Sequence, residues 1–350
     1  MKSRQVQLIE YPRGPVEPRH FRLVEVDVPE PADGEVLVRN EFTSVDPGMR
    51  LRLRESGPEG YFNSFPLNAA MDEILTVGEV VESRAEGFSS GDAVSHAWGW
   101  RDYSVVKAGE QSLGGVGTLR KLDTSIAPAV KFLGPVGNMA LTAYVGLVDG
   151  AQLREGDVVW ISAAAGAVGS LAVQIAKLRG HTVIGSAGSP DKVLFLLNEL
   201  GADAAFDYHD GPLVDRLREA APDGIDVYFD NVGGNHLQAA LTVLRPWGRV
   251  AMCGALSEYE SPEPQPGPTN LFQIVANNLT VRGFRASAYL HRQPEAMQQL
   301  GAWLKEGRLV YKETIVEGLE RAPEALIRML TGDTVGKTLV RVAGPTVTAV

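Results

Sequence analysis

Cysteine is almost absent. Cys253 stands alone among 350 residues, which leaves no partner for an intramolecular disulfide and too few thiolates for a zinc site built from several cysteines of one chain. Histidine is scarce as well. His20, His96, His181, His209, His236 and His291 are the whole set; no two stand at metal-ligand spacing, so each reads as an ordinary surface or core residue and no metal site is expected. Positive charge is in deficit: 33 Lys and Arg against 43 Asp and Glu give a net charge of −10. Displacing counterions from a nucleic-acid duplex needs the opposite balance, so nucleic acid is not an expected partner. No long apolar stretch follows the charges of residues 1–10, so no signal peptide is expected and the setting reads as cytoplasmic. The one long uncharged run, residues 158–176, has 19 residues, enough on length to cross a bilayer. Ser162, Gly166, Gly169, Ser170 and Gln174 divide it into a strand, a glycine turn and a helix, so no membrane partner is expected.

What is present suits a globular chain. Hydrophobic residues are 44% and charged residues 22%, enough apolar material for ordinary cores, and the length suggests about two domains. The first ~125 residues are rich in Gly, Pro and short β-prone runs. Strands are predicted at 36–39, 74–81 and 93–96, with turn signals Ala32-Asp33-Gly34 and Ser90-Gly91-Asp92 between them. From about residue 127 the rhythm changes. A buried-type strand at 157–161 is followed by a helix at 170–179 stopped by Gly180, a strand at 181–184 and a helix at 191–200 ending at Gly201. Segments 204–206, 212–220, 225–230, 236–244 and 249–253 continue the alternation. Strand and helix in turn at this spacing predict an α/β fold: a doubly wound parallel sheet beside a β-rich domain. Residues 261–268 hold four prolines and read as a surface loop. The last ~40 residues return to strand-like runs such as 337–342.

The string Ala164-Ala165-Gly166-Ala167-Val168-Gly169 lies between predicted strand and helix, where a dinucleotide fingerprint belongs. Gly166 lets the backbone approach a pyrophosphate, Gly169 lets helix and strand pack closely, and the helix start presents unpaired N–H groups to the phosphates. Ala164 stands where the fingerprint has its first glycine. An NAD site carries Asp or Glu at the end of the second strand to hold the ribose 2′-hydroxyl. Here that region reads Ser186-Ala187-Gly188-Ser189, followed by Lys192. Small neutral donors and a lysine suit a 2′-phosphate, so the expected cofactor is NADP(H).

Other strings carry less. Gly87-Phe88-Ser89-Ser90-Gly91 matches Gly-x-Ser-x-Gly but lies in a polar turn, without the strand-to-helix elbow of a hydrolase. Residues 332–338 resemble a phosphate-binding loop, one residue short and leading into a strand. Cys253 reads as a small buried filler that could lie near the cofactor. Trp98-Gly99-Trp100 forms either an aromatic substrate wall or a core plug.

Taken together, Asp46-Pro47-Gly48-Met49-Arg50, Gly99-Trp100, Leu141-Thr142-Ala143-Tyr144, the run 163–169, Phe229-Asp230-Asn231-Val232-Gly233-Gly234, Cys253-Gly254-Ala255-Leu256-Ser257-Glu258-Tyr259 and Gly336-Lys337 resemble the medium-chain dehydrogenase/reductase superfamily. The resemblance is to its zinc-independent branch, that of leukotriene B4 12-hydroxydehydrogenase/prostaglandin reductase, the plant double-bond reductases and the curcumin reductases. It implies a GroES-like catalytic domain over 1–128, a Rossmann NADP-binding domain over 129–309 and a C-terminal return over 310–350, with the cofactor in the cleft and often a homodimer. Zinc-dependent relatives need Cys, His and Glu ligands that one cysteine cannot supply.

The resemblance also implies site residues. Ala164, Gly166, Ala167, Val168, Gly169 and Gly188 would lie along the cofactor, Lys192 and Tyr208 at the adenosine 2′-phosphate, and Asn231 near the nicotinamide ribose. Cys253, Ser257, Tyr259, Phe284 and Thr334 would complete the cofactor contacts. Tyr61, Trp100 and Tyr103 would line the substrate pocket, with Tyr259, and after it Tyr61, as catalytic residues. Two departures stand out: Thr334 replaces the family's usual Asn and lacks its amide, and segment 68–76 lacks the usual glycines. The expected reaction is transfer of hydride from NADPH to the β-carbon of an α,β-unsaturated ketone or aldehyde, with a hydrogen-bond donor for the enolate. Reduction of quinones is the alternative within the superfamily, and a nucleotide-binding sensor without turnover is the alternative outside it.

Overall fold

The computed structural model describes residues 1–58, 60–261 and 266–342; half of the proline-rich run expected as a loop, 262–265, lies outside them. In chain order the strands are β1 (Lys2–Leu8), β2 (Phe21–Asp27), β3 (Glu35–Ser44), β4 (Thr76–Ser83), β5 (Ala93–His96), β6 (Tyr103–Lys107), β7 (Arg120–Lys121), β8 (Val158–Ile161), β9 (Thr182–Ala187), β10 (Ala204–Asp207), β11 (Ile225–Asp230), β12 (Leu244–Met252), β13 (Thr280–Gly283), β14 (Glu313–Glu317) and β15 (Lys337–Arg341). They fall into two compact units. One comprises Met1–Gly137 together with the chain from Glu313, the other Asn138–Lys312.

The first unit is β-rich. β1 and β2 pair antiparallel, and a second sheet runs in the order β14-β15-β3-β4-β5-β7, with β6 also on β3. Alternation along β3 points Val36 and Val38 into a core with Val80, Val94 and Val106. A second cluster gathers Leu53, Phe65, Met71 and Trp100. β15 lies between β14, parallel to it, and β3, antiparallel to it. Its Lys337 is buried, and its ammonium donates to the Val45 carbonyl at 2.8 Å, the Thr338 carbonyl at 3.0 Å and Asp46 Oδ1 at 3.0 Å. Burial pulls the Lys337 pKa down against the opposing pull of Asp46.

The second unit is a parallel sheet in the order β10-β9-β8-β11-β12-β13, flanked by helices that include Ala167–Leu178, Pro190–Asn198 and Gly234–Val243. Helix Ala167–Leu178 stops where Gly180 takes φ +86° and the His181 N–H reaches back to the Ala176 carbonyl at 3.1 Å. The chain winds outward from β8 through β9 to β10, then crosses to the other side of β8 with β11. The strand order therefore reverses between β8 and β11, and ligands of doubly wound sheets bind outside the carboxyl ends of such a pair.

Candidate cofactor site

Polar residues join the carboxyl ends of β8 and β11. Ser162 follows the apolar Val158–Ile161 strand and is wholly buried. Its hydroxyl accepts the Asn231 main-chain N–H at 3.1 Å, its carbonyl accepts the Asn231 amide at 2.7 Å, and the Tyr228 hydroxyl lies 2.9 Å from its Oγ. Asp230 Oδ1 accepts from the N–H groups of Val232 (2.9 Å) and Gly233 (2.7 Å) and lies 2.8 Å from the Tyr228 hydroxyl. Burial raises the Asp230 pKa, with the Gly233 N–H opposing it. Ser162, Tyr228 and Asp230 thus orient Asn231, the residue expected at the nicotinamide ribose. The sequence signal for this support is weak: a serine directly after an apolar strand.

The glycine turn has the geometry its sequence implies. Gly166 is the N-cap of helix Ala167–Leu178, whose first N–H groups lack intrahelical partners. A Cβ on Gly169 would stand 2.3 Å from the Ala163 carbonyl oxygen and 2.8 Å from the Ala164 Cα, so only glycine lets helix and strand meet this closely. Ala164 is buried, while Ala167 and Val168 are half-buried at the helix start.

At the end of β9, Tyr208 lies over Gly188, and Lys192 stands in the first turn of the helix that follows. Ser189 caps the next helix, accepting the Lys192 main-chain N–H at 3.4 Å. The Tyr208 N–H donates to the Ala187 carbonyl, and its phenol lies over Gly188, 2.9 Å from where a Cβ would stand. Burial raises the Tyr208 pKa, and Asp207 adds to it. No acid stands in the Ser186–Ser189 stretch at the end of β9.

Beyond β12 the chain crosses back over the Asn231 turn. Leu256 and Ser257 donate main-chain N–H bonds to the Asn231 and Val232 carbonyls at 3.1 and 3.0 Å, and the Ser257 hydroxyl donates to the Val232 carbonyl at 2.7 Å. Gly233 has φ +72°, and a Cβ on Gly234 would stand 2.9 Å from Ser257 Oγ. Tyr259, half-buried, sets its hydroxyl above Gly254, 3.2 Å from where a Cβ would stand, and accepts the Ala255 N–H at 3.4 Å. Burial pushes the Cys253 thiol up to about 12, with Asp230 adding to it; it is a protonated filler beside this turn, not a nucleophile. Phe284 packs edge-on against Phe229.

Four expected site residues belong to the first unit. Tyr61 is 36% exposed, and its hydroxyl lies 3.1 Å from where a Gly48 Cβ would stand. Tyr103 begins β6 half-buried, and Thr334 is half-buried just before β15. Trp100 corrects the pocket expectation. It is wholly buried, it packs against Phe21 at 6.1 Å between ring centroids, and its indole N–H donates to the Ser44 carbonyl at 3.2 Å. Such a ring has no face to offer a ligand, so of its two readings the core plug holds. Among the described residues no group of three or more His, Cys, Asp and Glu could hold a metal ion, and no helix is long and apolar enough to cross a membrane.

Residues 4–113 match the family described as N-terminal domain of oxidoreductase, and 167–306 the one described as zinc-binding dehydrogenase. The chain is 37% identical to the NADPH-dependent curcumin reductase of Escherichia coli (strain K12) over 348 residues, 98% of each chain. It is 36% identical to the NADP(+)-dependent 2-alkenal reductase of Nicotiana tabacum over 322 residues, 91% of this chain and 90% of the relative. The crystal structure of CurA in complex with NADPH from Vibrio vulnificus superposes with a TM-score of 0.89 at 34% identity, covering 98% of this chain and all of that one. The chain therefore belongs to the medium-chain dehydrogenase/reductase superfamily, in the family of NADP-dependent prostaglandin, curcumin and 2-alkenal reductases.

Proposed function

We propose that this protein reduces the C=C bond of α,β-unsaturated ketones and aldehydes with NADPH, Tyr259 assisting the chemical step. NADPH supplies the hydride, from C4 of its nicotinamide to the β-carbon of the substrate. The first N–H groups of helix Ala167–Leu178, behind Gly166, hold the pyrophosphate. Lys192 and Tyr208 hold the 2′-phosphate, and Asn231, fixed by Ser162, orients the nicotinamide ribose. As hydride arrives, negative charge moves to the substrate carbonyl oxygen, and Tyr259 donates a hydrogen bond to it, directly or through the ribose hydroxyl. Solvent then protonates the α-carbon. Tyr61 is the second candidate donor.

The carrying observation is the Tyr259 hydroxyl on the glycine turn after β12, accepting the Ala255 N–H. A phenol polarised by an incoming hydrogen bond is a better donor in its turn. The test is loss of NADPH absorbance against a panel of enones, 2-alkenals and simple quinones, with NADH as control. Rapid loss with enones or alkenals, NADPH well ahead of NADH, is the expected result. Activity with quinones alone, or binding of NADPH with no acceptor reduced, overturns the reading.

We also propose a homodimer built on the β13 edge. All four β13 residues are exposed, and Trp247, Phe272 and Val275 stand beside that end of the sheet with at least 66% of their surface open. A patch of this kind on a sheet edge is an association surface. Light scattering on the Phe272→Asp variant should show monomers where the parent shows dimers.

A further inference from the structure

One group in the second unit is left unused by the proposed chemistry. His236, on helix Gly234–Val243, is 8% exposed, and its Nε2 has no hydrogen-bond partner. Its ring stacks on Trp160, with centroids 5.9 Å apart and planes at 16°. Trp160 is itself immobilised. It is wholly buried, it stacks on Tyr228 at 4.2 Å, and its indole N–H donates to Ser186 Oγ at 3.1 Å. His236 also meets Tyr208 edge-on, at 5.3 Å and 74°. Tyr208 is 39% exposed and reaches over Gly188. An open tyrosine on a turn can sample several rotamers, and packing decides which is populated. His209, tilted at 42° with its centroid 4.1 Å away, touches the same ring as a largely exposed side chain whose Nδ1 lies 2.8 Å from Asp207 Oδ1. The buried anchor is His236.

We infer that His236 is a positioning residue for the adenosine 2′-phosphate: its ring, clamped on Trp160, holds Tyr208 over Gly188 and so sets the preference for NADPH over NADH. The inference rests on the proposed roles of Lys192 and Tyr208. His236 acts by shape and not by hydrogen bonding, because Nε2 bonds nothing and burial keeps the ring neutral, with a pKa of about 4. An aromatic ring of similar size should therefore replace it, and a small residue should not.

The test is isothermal titration with NADPH, NADH, 2′,5′-ADP and 5′-ADP of the parent and the variants His236→Ala, His236→Phe and Tyr208→Ala. His236→Ala should weaken NADPH and 2′,5′-ADP about five- to tenfold, leaving NADH and 5′-ADP within about twofold. His236→Phe should restore the parent preference. Were His236→Ala not to fold, His236→Leu fills the space without a flat ring and is read the same way. An unchanged NADPH-to-NADH ratio in the Ala or Leu variant, alongside a lowered ratio in Tyr208→Ala, overturns the inference and leaves the phosphate corner standing. Equal weakening of both cofactors, or failure of Phe to restore the ratio, overturns it too. An unchanged ratio in Tyr208→Ala removes the phosphate corner itself, and this inference with it.

Discussion

At the scale of single residues, the phosphate corner and the phenol of Tyr259 lead to separable outcomes. Tyr259→Phe keeps the ring over Gly254 and removes only the hydroxyl. Turnover should then fall about 10- to 100-fold, the range for losing one oxyanion donor or somewhat less, and unchanged turnover with an enone would end the assignment. Lys192→Ala should raise the Michaelis constant for NADPH and spare that for NADH; equal effects on both would place Lys192 away from the 2′-phosphate. The proposed corner is read from a missing acid and a near lysine, both of them local facts of the sequence. Trp100 is not, because Trp98-Gly99-Trp100 has the same letters whether it forms a wall or a plug. What decides is tertiary: Trp100 takes φ +57°, and a Cβ on Gly99 would stand 2.3 Å from Thr76 Oγ1 and 2.4 Å from Thr43 Oγ1. The segment is pressed against the β3–β4 sheet, and its indole goes inward.

At the scale of elements, the helix after the glycine turn is held close to the sheet by a single absent methyl. Gly169→Ala forces a Cβ against backbone atoms of Ala163 and Ala164, which cannot rotate away. The expected cost is about 1–3 kcal/mol, readable as a lowered urea midpoint with unchanged slope, and the shifted helix start should weaken NADPH as well. Stability equal to the parent would show that the turn has slack. The parallel strands of the second unit are legible because both their faces are covered, so β8 reads as Val-Val-Trp-Ile and β11 starts and stops at the expected 225 and 230. β1 and β2 have no such signature. In β2, Arg22, Glu25 and Asp27 face solvent and only Phe21 is buried, so its existence depends on pairing with β1 across a gap in sequence. β13, exposed along its whole length, escapes for the same reason.

At the scale of the whole molecule, buried imidazoles weaken the fold in acid: burial pulls His20, His96, His181 and His236 all below the ordinary value. His96 is held at about 3 and His236 at about 4 by burial, against an ordinary 6.5. Below pH about 6.5 the unfolded chain binds protons that the fold refuses. Stability therefore falls as pH drops from about 6.5 towards 4, by about 1.4 kcal/mol per pH unit for each ring. Melting curves between pH 7.5 and 4.5 should show this decline, and His236→Phe should flatten it; equal slopes in the two proteins would contradict it. At neutral pH, NADPH at 100 times its dissociation constant should stabilise the fold by about 2.7 kcal/mol, with less from NADH at the same concentration. Two-domain organisation and the cofactor class are legible from the alternation of elements and the glycine string, while the contacts that orient Asn231 need the folded chain.

The place of β15 has a consequence for how the chain comes off the ribosome. The second unit is continuous in sequence, so its sheet can close once residue 312 has emerged. The first unit cannot close then, because the strand that sits against the Phe42–Ser44 end of β3 and carries the buried Lys337 is made later. Until β15 emerges, the Phe42–Ser44 end of β3 is an open strand edge beside the part that β6 covers, the kind of surface that pairs with other chains or recruits a chaperone. Translation arrested with residue 312 just outside the ribosome should therefore yield nascent chains whose 138–312 part resists protease while the part before it is cut, and that earlier part should become resistant only once residue 341 is free.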